Sequence, residues 1–393
     1  MTSQSYTLRQ LVLYFLKLGA TGFGGPVALI GYMHRDLVED RKWISEEEYK
    51  EGLMLAQLAP GPMAIQLGIY LGYMHFGIIG ATLCGLAFVI PSFIMVVVLG
   101  MAYKMFNGLP WMQAVFYGVG AAVIGIIAIS SYRLTTKSIG KFGLDSFTQK
   151  WMLWLFYVTT LVITFLGPSR ILWFLLGAGL LYMFVKAPPA WAKKTTLNSI
   201  FFTAGLGFWD YKPKTLQQMA LFFAKAGAFV FGSGLAIIPF LHGAVTEYHW
   251  IDEHTFLDAV AVAMITPGPV IITVGFIGYL TAGFPGACVA AAAIFLPSYF
   301  LTIIPALYFK KYAKHTSIKA FVEGITAAVI GALTGSVVII AINTFTRNHS
   351  VVLDIPSVII AIVTVLALLY IKKIQEPYII AVAAIVGVIL KTM

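Results

Sequence analysis

Charged residues are scarce in this sequence. Asp, Glu, Lys and Arg make up 11% of its 393 residues, and the hydrophobic share is 60%, whereas about a quarter of the residues of a typical soluble domain are charged. Apolar runs close to the roughly 20 residues that cross a bilayer as a helix recur along the chain, among them 77–103, 151–167, 351–371 and 378–390. The runs are continuous rather than alternating, which excludes a β-barrel. We expect an all-α polytopic integral membrane protein.

Several other features are missing. The two cysteines, Cys84 and Cys288, lie in apolar runs and form no C-x-x-C, so we expect no disulfide, no metal site and no cofactor. No H-E-x-x-H, G-x-S-x-G or Walker A motif is present, which disfavours an intramembrane enzyme. No cleavable signal peptide is evident. The net charge of +10 comes from basic residues in short loops, a pattern typical of the positive-inside bias rather than of nucleic-acid binding.

The sequence is a repeat of two halves, offset by about 207 residues. The motif "GFGGP" at 22–26 matches "FGSG" at 231–234, and "APGP" at 59–62 matches "TPGP" at 266–269. Further pairs are Lys17 with Lys225, His34 with His242, Trp43 with Trp250, Gly72 with Gly278, and Pro91-Ser92 with Pro297-Ser298. We expect an N-terminal repeat at 1–186, a cytoplasmic linker at 187–214 and a C-terminal repeat at 215–393.

Basic residues indicate how the two halves are oriented. Loop 133–150 contains four basic residues and loop 104–110 contains one, whereas the equivalent second-half loops reverse this, with four in 309–319 and one in 344–354. Equivalent loops therefore prefer opposite sides of the membrane, which predicts inverted-topology repeats with the basic loops in the cytoplasm. Inversion requires an odd number of crossings in each half, and we expect five, together with broken or re-entrant helices.

The paired proline and glycine motifs predict breaks in apolar helices. In inverted-repeat transporters such broken helices meet near the bilayer midplane, where half-helix N-termini present free N–H groups and a positive dipole end. Proline suits the first turn of a half-helix because its missing N–H would be unpaired there anyway. Four converging helix ends form an anion site. Glycines and prolines that only kink helices for packing are the alternative.

Two lysines within apolar runs favour an anionic substrate. Lys17 and Lys225 precede the first break of each half by seven residues, and cations inside a span are usually functional, although a long side chain also reaches the interface by snorkelling. Gln66 and Thr273 occupy equivalent positions after each PGP motif. The predicted substrate-binding residues are Lys17, Gly24, Gly25, Pro60, Gly61, Pro62, Gln66, Lys225, Gly232, Ser233, Pro267, Gly268, Pro269 and Thr273.

Titratable residues outside the breaks are candidates for proton coupling. His34 and His242 are equivalent, and histidine changes charge near neutral pH. Glu51 and Asp258 are also equivalent and lie where a polar segment enters an apolar one. A structural hydrogen-bonding role is the alternative for all four. Ser45, with the sequence S-x-x-E, predicts a capping box at the start of a helix that leads into the PGP motif.

The motif set resembles a known family. "GFGGP" followed by Val38, Trp43, "APGP", Gly72 and Gly80 is similar to the signature of the chromate ion transporter (CHR) family, and the second copy with "FGSG" and "TPGP" resembles its two-domain, long-chain form. By match, the motif residues are Gly24, Gly25, Trp43, Pro60, Gly61, Pro62, Pro267, Gly268 and Pro269. Gly25-Pro26 is replaced by Ser233-Gly234 in the second half, so the halves need not contribute equally.

The resemblance implies a function. It implies a multi-pass transporter that exports chromate, a sulfate-like tetrahedral dianion, across the plasma membrane, with membrane potential, proton coupling or both as the driving force. A transporter or channel for another anion, such as sulfate, is the alternative, and an intramembrane enzyme is less favoured. The expected partners are an inorganic oxyanion and the lipid bilayer, without nucleic acid; a homodimer is left open.

Overall fold

The computed structural model describes residues 6–23, 25–106, 109–166, 171–189, 215–232, 234–307, 316–346, 353–371 and 376–392. The first half contains α1 Leu8–Thr21, α2 Gly25–Met33, α3 Glu46–Leu58, α4 Met63–Phe106, α5 Pro110–Ser138, α6 Leu144–Gln149, α7 Trp151–Leu166 and α8 Ile171–Lys186. The second half contains α9 Thr215–Phe229, α10 Ile238–Leu241, α11 Gly243–Thr246, α12 Glu253–Ile265, α13 Thr273–Ala306, α14 Thr316–Phe345, α15 Ile355–Tyr370 and α16 Glu376–Thr392.

Short elements complete this list. A π-helix, His34–Asp40, continues α2, and 3-10 turns occupy Gly234–Ile237 and Val270–Ile272. The two-residue strands β1 Gly61–Pro62 and β2 Phe231–Gly232 pair in parallel.

The long helices are apolar enough to cross a membrane. Four of them meet this criterion by length and composition within the described residues: Met63–Phe106, Pro110–Ser138, Val270–Ala306 and Thr316–Phe345. Shorter apolar helices, such as Trp151–Leu166 and Ile355–Tyr370, accompany them. The predicted fold class, an all-α polytopic membrane protein, is confirmed.

The helices α4 and α13 are each broken by a tight turn. Phe76 and Gly77 leave helical geometry in α4, as do Ala282 and Gly283 in α13. The chain reverses direction at the first turn. The evidence is that Gly72, before the turn, lies against the backbone of Gly80, after it. Residues 63–75 are therefore a short arm, and residues 78–106 form the long helix. The same reversal occurs in α13.

The first half opens with two helical hairpins. Hairpin 1 (8–40) runs inward along α1 and returns through α2 and the π-helix. The two ends of this hairpin therefore lie close together, and Tyr6, just before it, stacks on Trp43, just after it, at 4.8 Å between ring centroids. Hairpin 2 (46–75) runs inward along α3 and returns along 63–75, so that the Tyr70 hydroxyl lies 3.5 Å from Oε2 of Glu51. Ser45 and Glu48 form the predicted capping box at the start of α3.

The second half repeats this plan. Hairpin 3 (215–246) runs inward along α9 and returns through a 3-10 turn and the short helices α10 and α11, with Phe222 and Trp250 in edge-to-face contact at 5.4 Å. Hairpin 4 (253–281) runs inward along α12, whose N-cap Asp252 accepts a hydrogen bond from the Thr255 N–H, and returns through the first part of α13.

The long helices of the two halves run in opposite directions. Thr82, near the start of segment 78–106, is hydrogen-bonded to Tyr299 at 2.5 Å, near the end of α13. Further along 78–106, Phe93 contacts Phe284, at the start of the long part of α13. We call the end of the molecule with the Phe76–Gly77 turn end A, and the end with the Ala282–Gly283 turn end B.

The remaining helices flank this central pair. Tyr117 in α5 donates to Asp354 at 2.7 Å, and Arg133 donates to the carbonyl oxygen of Leu368 at 2.6 Å, so α5 and α15 both run from end B to end A. The chain path then places the end of α8 at end A and the start of α9 at end B. The linker residues between them lie largely outside the described part of the chain.

Candidate functional site

The bends of the four hairpins meet inside the protein. We call them tip 1 (22–23), tip 2 (59–62), tip 3 (230–232) and tip 4 (266–269). The N–H of Gly61 donates to the carbonyl oxygen of Val230 at 2.6 Å, and the N–H of Gly268 donates to the carbonyl oxygen of Gly22 at 2.8 Å. These bonds are reciprocal, because the second tip of each half bonds to the first tip of the other half.

Tips 3 and 4 also touch each other. A Cβ built on Gly234, just after tip 3, would lie 3.5 Å from the Cβ of Val270, just after tip 4. Together with the two reciprocal hydrogen bonds, this contact joins the four tips into one group. The bends of both halves therefore lie together among the described residues, and the meeting of broken helices near the bilayer midplane stays a prediction.

Glycine is required at the centre of both PGP motifs. Gly61 has φ +136° and Gly268 has φ +99°, which side chains other than glycine rarely adopt. A Cβ on Gly61 would lie 2.6 Å from both Oγ of Ser298 and Nε2 of Gln66, and a Cβ on Gly268 would collide with Ser92. Each glycine thus allows its tip to press against the long helix of the other half.

The prolines separate an incoming arm from an outgoing helix. α3 ends at Leu58 and α4 begins at Met63, so Pro60 and Pro62 lie between them. The first N–H groups of a helix have no partner within it, and they carry the positive end of the helix dipole. The N-terminus of segment 63–75 therefore lies at tip 2 and favours negative charge there.

Two buried polar side chains lie beside tip 2. Gln66 is fully buried, and its Nε2 donates to the carbonyl oxygen of Pro60 at 2.7 Å. Ser298 is also fully buried. Its hydroxyl, like Oε1 of Gln66, has no hydrogen-bond partner among the described residues. Tip 2 thus has hydrogen-bonding groups that none of the described residues engages.

The equivalent groups at tip 4 are satisfied. The Thr273 hydroxyl donates to the carbonyl oxygen of Val270 at 2.7 Å, and the Ser92 hydroxyl donates to the carbonyl oxygen of Gly19 at 3.2 Å. The two halves therefore share a backbone plan but differ in their free polar groups.

The predicted lysines lie away from the buried contacts. Lys17 and Lys225 are exposed, whereas their neighbours Leu18, Gly19, Ala226 and Gly227 are buried. Each lysine lies about one helical turn before a tip, on the outward side of its helix. Their part in substrate binding stays a prediction. Gly25 has φ +72° and begins α2, Gly232 belongs to β2, and Gly24 and Ser233 lie outside the described residues.

The two predicted histidines connect hairpin arms. His34 is hydrogen-bonded to Glu46 at 2.8 Å, and His242 to Glu253 at 2.9 Å. The hydrogen bond with His34, followed by that with Lys50, lowers the pKa of Glu46. Burial alone would raise the pKa of Glu253, but the hydrogen bond and charge of His242 lower it overall. These pairs lie near the outer ends of hairpins rather than at the tips.

The equivalent carboxylates Glu51 and Asp258 have different surroundings. Glu51 is partly exposed, and its contact with Tyr70 is long at 3.5 Å. Asp258 is 8% exposed and accepts a hydrogen bond from Tyr103 of the other half at 2.7 Å. Tyr103 also lines a cavity of about 660 Å³ at end B, together with Lys104, His249, Trp250, Ile251, Asp252, Glu253, Thr255 and Leu280. Asp258 is therefore one hydrogen bond away from that cavity.

Three residues of this arrangement were not predicted as functional. Ser92 and Ser298 were identified only as a matching Pro-Ser pair of the repeat, and Tyr103 was not singled out. The equivalence of the two serines is the sequence signal that could have identified them as candidate functional residues, since a polar residue repeated within a long apolar run is unusual.

Comparisons with known proteins agree with the resemblance. Residues 9–183 and residues 217–388 both match the family profile described as Chromate transporter. The chain is 58% identical to the chromate transport protein of Cupriavidus metallidurans, over 99% of this chain and 94% of that protein. It is 54% identical to the probable chromate transport protein of Synechococcus elongatus, over 98% and 96% of the two chains.

A more distant relative and the solved structures complete the comparison. The chain is 30% identical to the chromate transport protein of Pseudomonas aeruginosa, over 87% of this chain and 83% of that protein. No solved structure matches it. Because one family profile matches both halves and the similarity extends over nearly the whole chain, the protein belongs to the chromate transporter family.

Proposed function

We propose that this protein exports chromate across the plasma membrane and binds the oxyanion where the four hairpin tips meet. The observation that carries this proposal is the reciprocal pair of hydrogen bonds from Gly61 to Val230 and from Gly268 to Gly22. A site built by both halves can be exposed to either side when the halves move against each other, as inverted repeats do in secondary transporters.

The tips suit an anion. Each helix N-terminus carries about half a positive unit charge, and tip 2 adds the unused polar groups of Ser298 and Gln66. The exit of a dianion from a negative-inside cell releases about 4.6 kcal/mol of free energy per 100 mV of membrane potential. This free energy supports a chromate concentration about a thousandfold higher outside than inside. Export therefore requires a site that binds and releases the anion more than it requires a strong pump. We propose membrane potential, proton coupling or both as the driving force.

The chain path supports a cytoplasmic location for end A. Segment 78–106 leads from end A to end B and α5 returns to end A, so the basic loop 139–150 lies at end A, and residues 106 and 109 lie at end B. In the second half, residues 307 and 316, which flank another basic stretch, also lie at end A. Loops rich in Lys and Arg remain on the cytoplasmic side.

Cysteine labelling tests this orientation. In a background with Cys84 and Cys288 replaced, we expect single cysteines at Lys141 and Lys319 to react with an impermeant thiol reagent only from the cytoplasmic side, and one at Lys104 only from outside. Labelling of positions 104 and 319 from the same side would contradict the inverted repeat.

The linker can be tested in the same background. A cysteine at Lys186 and one at Thr215 are expected to label from opposite sides, because the described chain places α8 and α9 at opposite ends. Labelling of both from the cytoplasm would instead support the linker location predicted from the basic residues alone.

Transport into inverted membrane vesicles tests the function itself. Vesicles that contain the protein are expected to accumulate chromate when their interior is made positive, and to accumulate less sulfate and molybdate at equal concentration. Equal or greater sulfate uptake would assign the site to another oxyanion. Flux that does not saturate and appears as single-channel current would indicate a channel instead.

A further inference from the structure

The two halves do not offer the same groups to a ligand. At tip 4, Ser92 and Thr273 each donate to a backbone carbonyl oxygen. Ser298 occupies the position equivalent to Ser92 but is fully buried with no partner among the described residues. Buried hydroxyls are nearly always paired, so an orphaned one at a functional site points to a ligand that completes it.

Ser298 and Gln66 face the same small space. Oγ of Ser298 and Nε2 of Gln66 each lie 2.6 Å from the position that a Cβ on Gly61 would occupy. Nε2 carries two hydrogens, and among the residues that the structure describes it donates one, to the carbonyl oxygen of Pro60. A hydroxyl, an amide N–H and the N-terminus of segment 63–75 thus converge beside Gly61, and all three attract an oxyanion.

We propose that the transported oxyanion binds at one asymmetric place beside Gly61, where the Ser298 hydroxyl and Nε2 of Gln66 donate to its oxygen atoms. The proposal rests on the proposed function and names the residues of that same site. The equivalent position beside Gly268 is a structural contact that takes no anion. Oε1 of Gln66 is an acceptor and has no part in the assigned contacts.

The geometry adds a requirement for movement. The space beside Gly61 is too tight even for a methyl group, so a tetrahedral anion enters only when tip 2 separates from Ser298. The same separation strains the hydrogen bond from Gly61 to Val230, which links hairpins of the two halves. Anion binding is thereby coupled to relative movement of the halves, as alternating access requires.

Equilibrium binding tests the asymmetry with a matched pair of variants. Binding of radiolabelled chromate to the purified full-length protein in detergent is measured by equilibrium dialysis for the parent, Ser298→Ala and Ser92→Ala. We expect Ser298→Ala to raise the dissociation constant about tenfold or more, the loss typical of a hydrogen bond to a charged group. Ser92→Ala, which removes the same atom from the satisfied position, is expected to stay within about twofold of the parent.

Thermal melting shows whether each serine variant folds. If one does not, a second pair of variants, Gln66→Met and Thr273→Val, tests the asymmetry. Gln66→Met removes Nε2 and is expected to weaken chromate binding about tenfold, whereas Thr273→Val is expected to bind like the parent. Equal weakening in both halves, or parent-like binding by Ser298→Ala, would overturn the asymmetric site but leave chromate transport intact. A parent protein that binds neither chromate, molybdate nor sulfate would overturn the proposed function together with this inference.

Discussion

Replacing Gly61 with alanine is expected to reduce chromate transport strongly. The new Cβ would lie 2.6 Å from Oγ of Ser298 and from Nε2 of Gln66, and the residue would have to keep φ +136°. A non-glycine residue held in such a region costs about 1–3 kcal/mol, and the collision adds to that cost. Tip 2 is therefore held away from Ser298 in every state, whereas transport requires the tip to separate for the anion and then to return, so that the hydrogen bond from Gly61 to Val230 forms again.

The measurement is chromate uptake into inverted vesicles at matched protein level, with thermal melting of the purified protein beside it. Gly31→Ala is the control, because Gly31 is exposed and a Cβ added there would meet no atom within 4 Å, and this variant should transport like the parent. We expect uptake by Gly61→Ala to fall at least about tenfold while the protein still melts cooperatively, since one strained tip costs less than the stability of a whole domain. Normal uptake by Gly61→Ala would show that the tips are packing features only.

The sequence predicted where the helices break but not how the chain continues after each break. The "APGP" and "TPGP" motifs mark tips 2 and 4, and "GFGGP" and "FGSG" mark tips 1 and 3. Proline and glycine report a local loss of helix. The return of the chain depends on tertiary contacts, such as Gly72 against Gly80, which periodicity does not reveal. A break in a spanning helix and the tip of a hairpin therefore look alike in sequence.

The expected five crossings per half illustrate the same limit. After its two hairpins, each half has four further long helices among the described residues: segment 78–106, α5, α7 and α8 in the first half, where the six-residue α6 is not counted, and their equivalents in the second. This number is even, whereas we expected inverted repeats from an odd number of crossings in each half, and both the inversion and the five crossings stay predictions. Charge counts in loops predict which ends of the helices lie in the cytoplasm, and this orientation stays a prediction.

The candidate site was predictable in its backbone and less so in its side chains. The glycines and prolines of the tips follow from the repeat. The cost of charge inside an apolar run predicts a role for Lys17 and Lys225, but an apolar run does not show which side of a helix faces outward. Ser298 differs from Ser92 in having no hydrogen-bond partner within the described part of the chain, which is a property of the folded chain that no sequence pattern contains.

Asp258→Asn is expected to uncouple transport from the pH gradient while leaving transport driven by membrane potential. Asp258 is 8% exposed, and its described hydrogen-bond partner is the Tyr103 hydroxyl at 2.7 Å. A buried carboxylate without a cation beside it is costly when ionised. Protonation removes that cost, and Tyr103 connects the group to the cavity at end B. Asparagine keeps the size and the hydrogen bond but cannot carry a proton.

Uptake of chromate into inverted vesicles is measured under a pH gradient alone and under a potential alone. In Asp258→Asn we expect the component driven by the pH gradient to fall at least about tenfold, as for loss of a proton-carrying group in a membrane relay, and the component driven by the potential to change little. Glu51→Gln is the matched control from the first half and should retain the pH response, since Glu51 is partly exposed and its contact with Tyr70 is long at 3.5 Å. An Asp258→Asn variant that responds to the pH gradient like the parent would remove Asp258 from the coupling mechanism and leave the potential as the driving force.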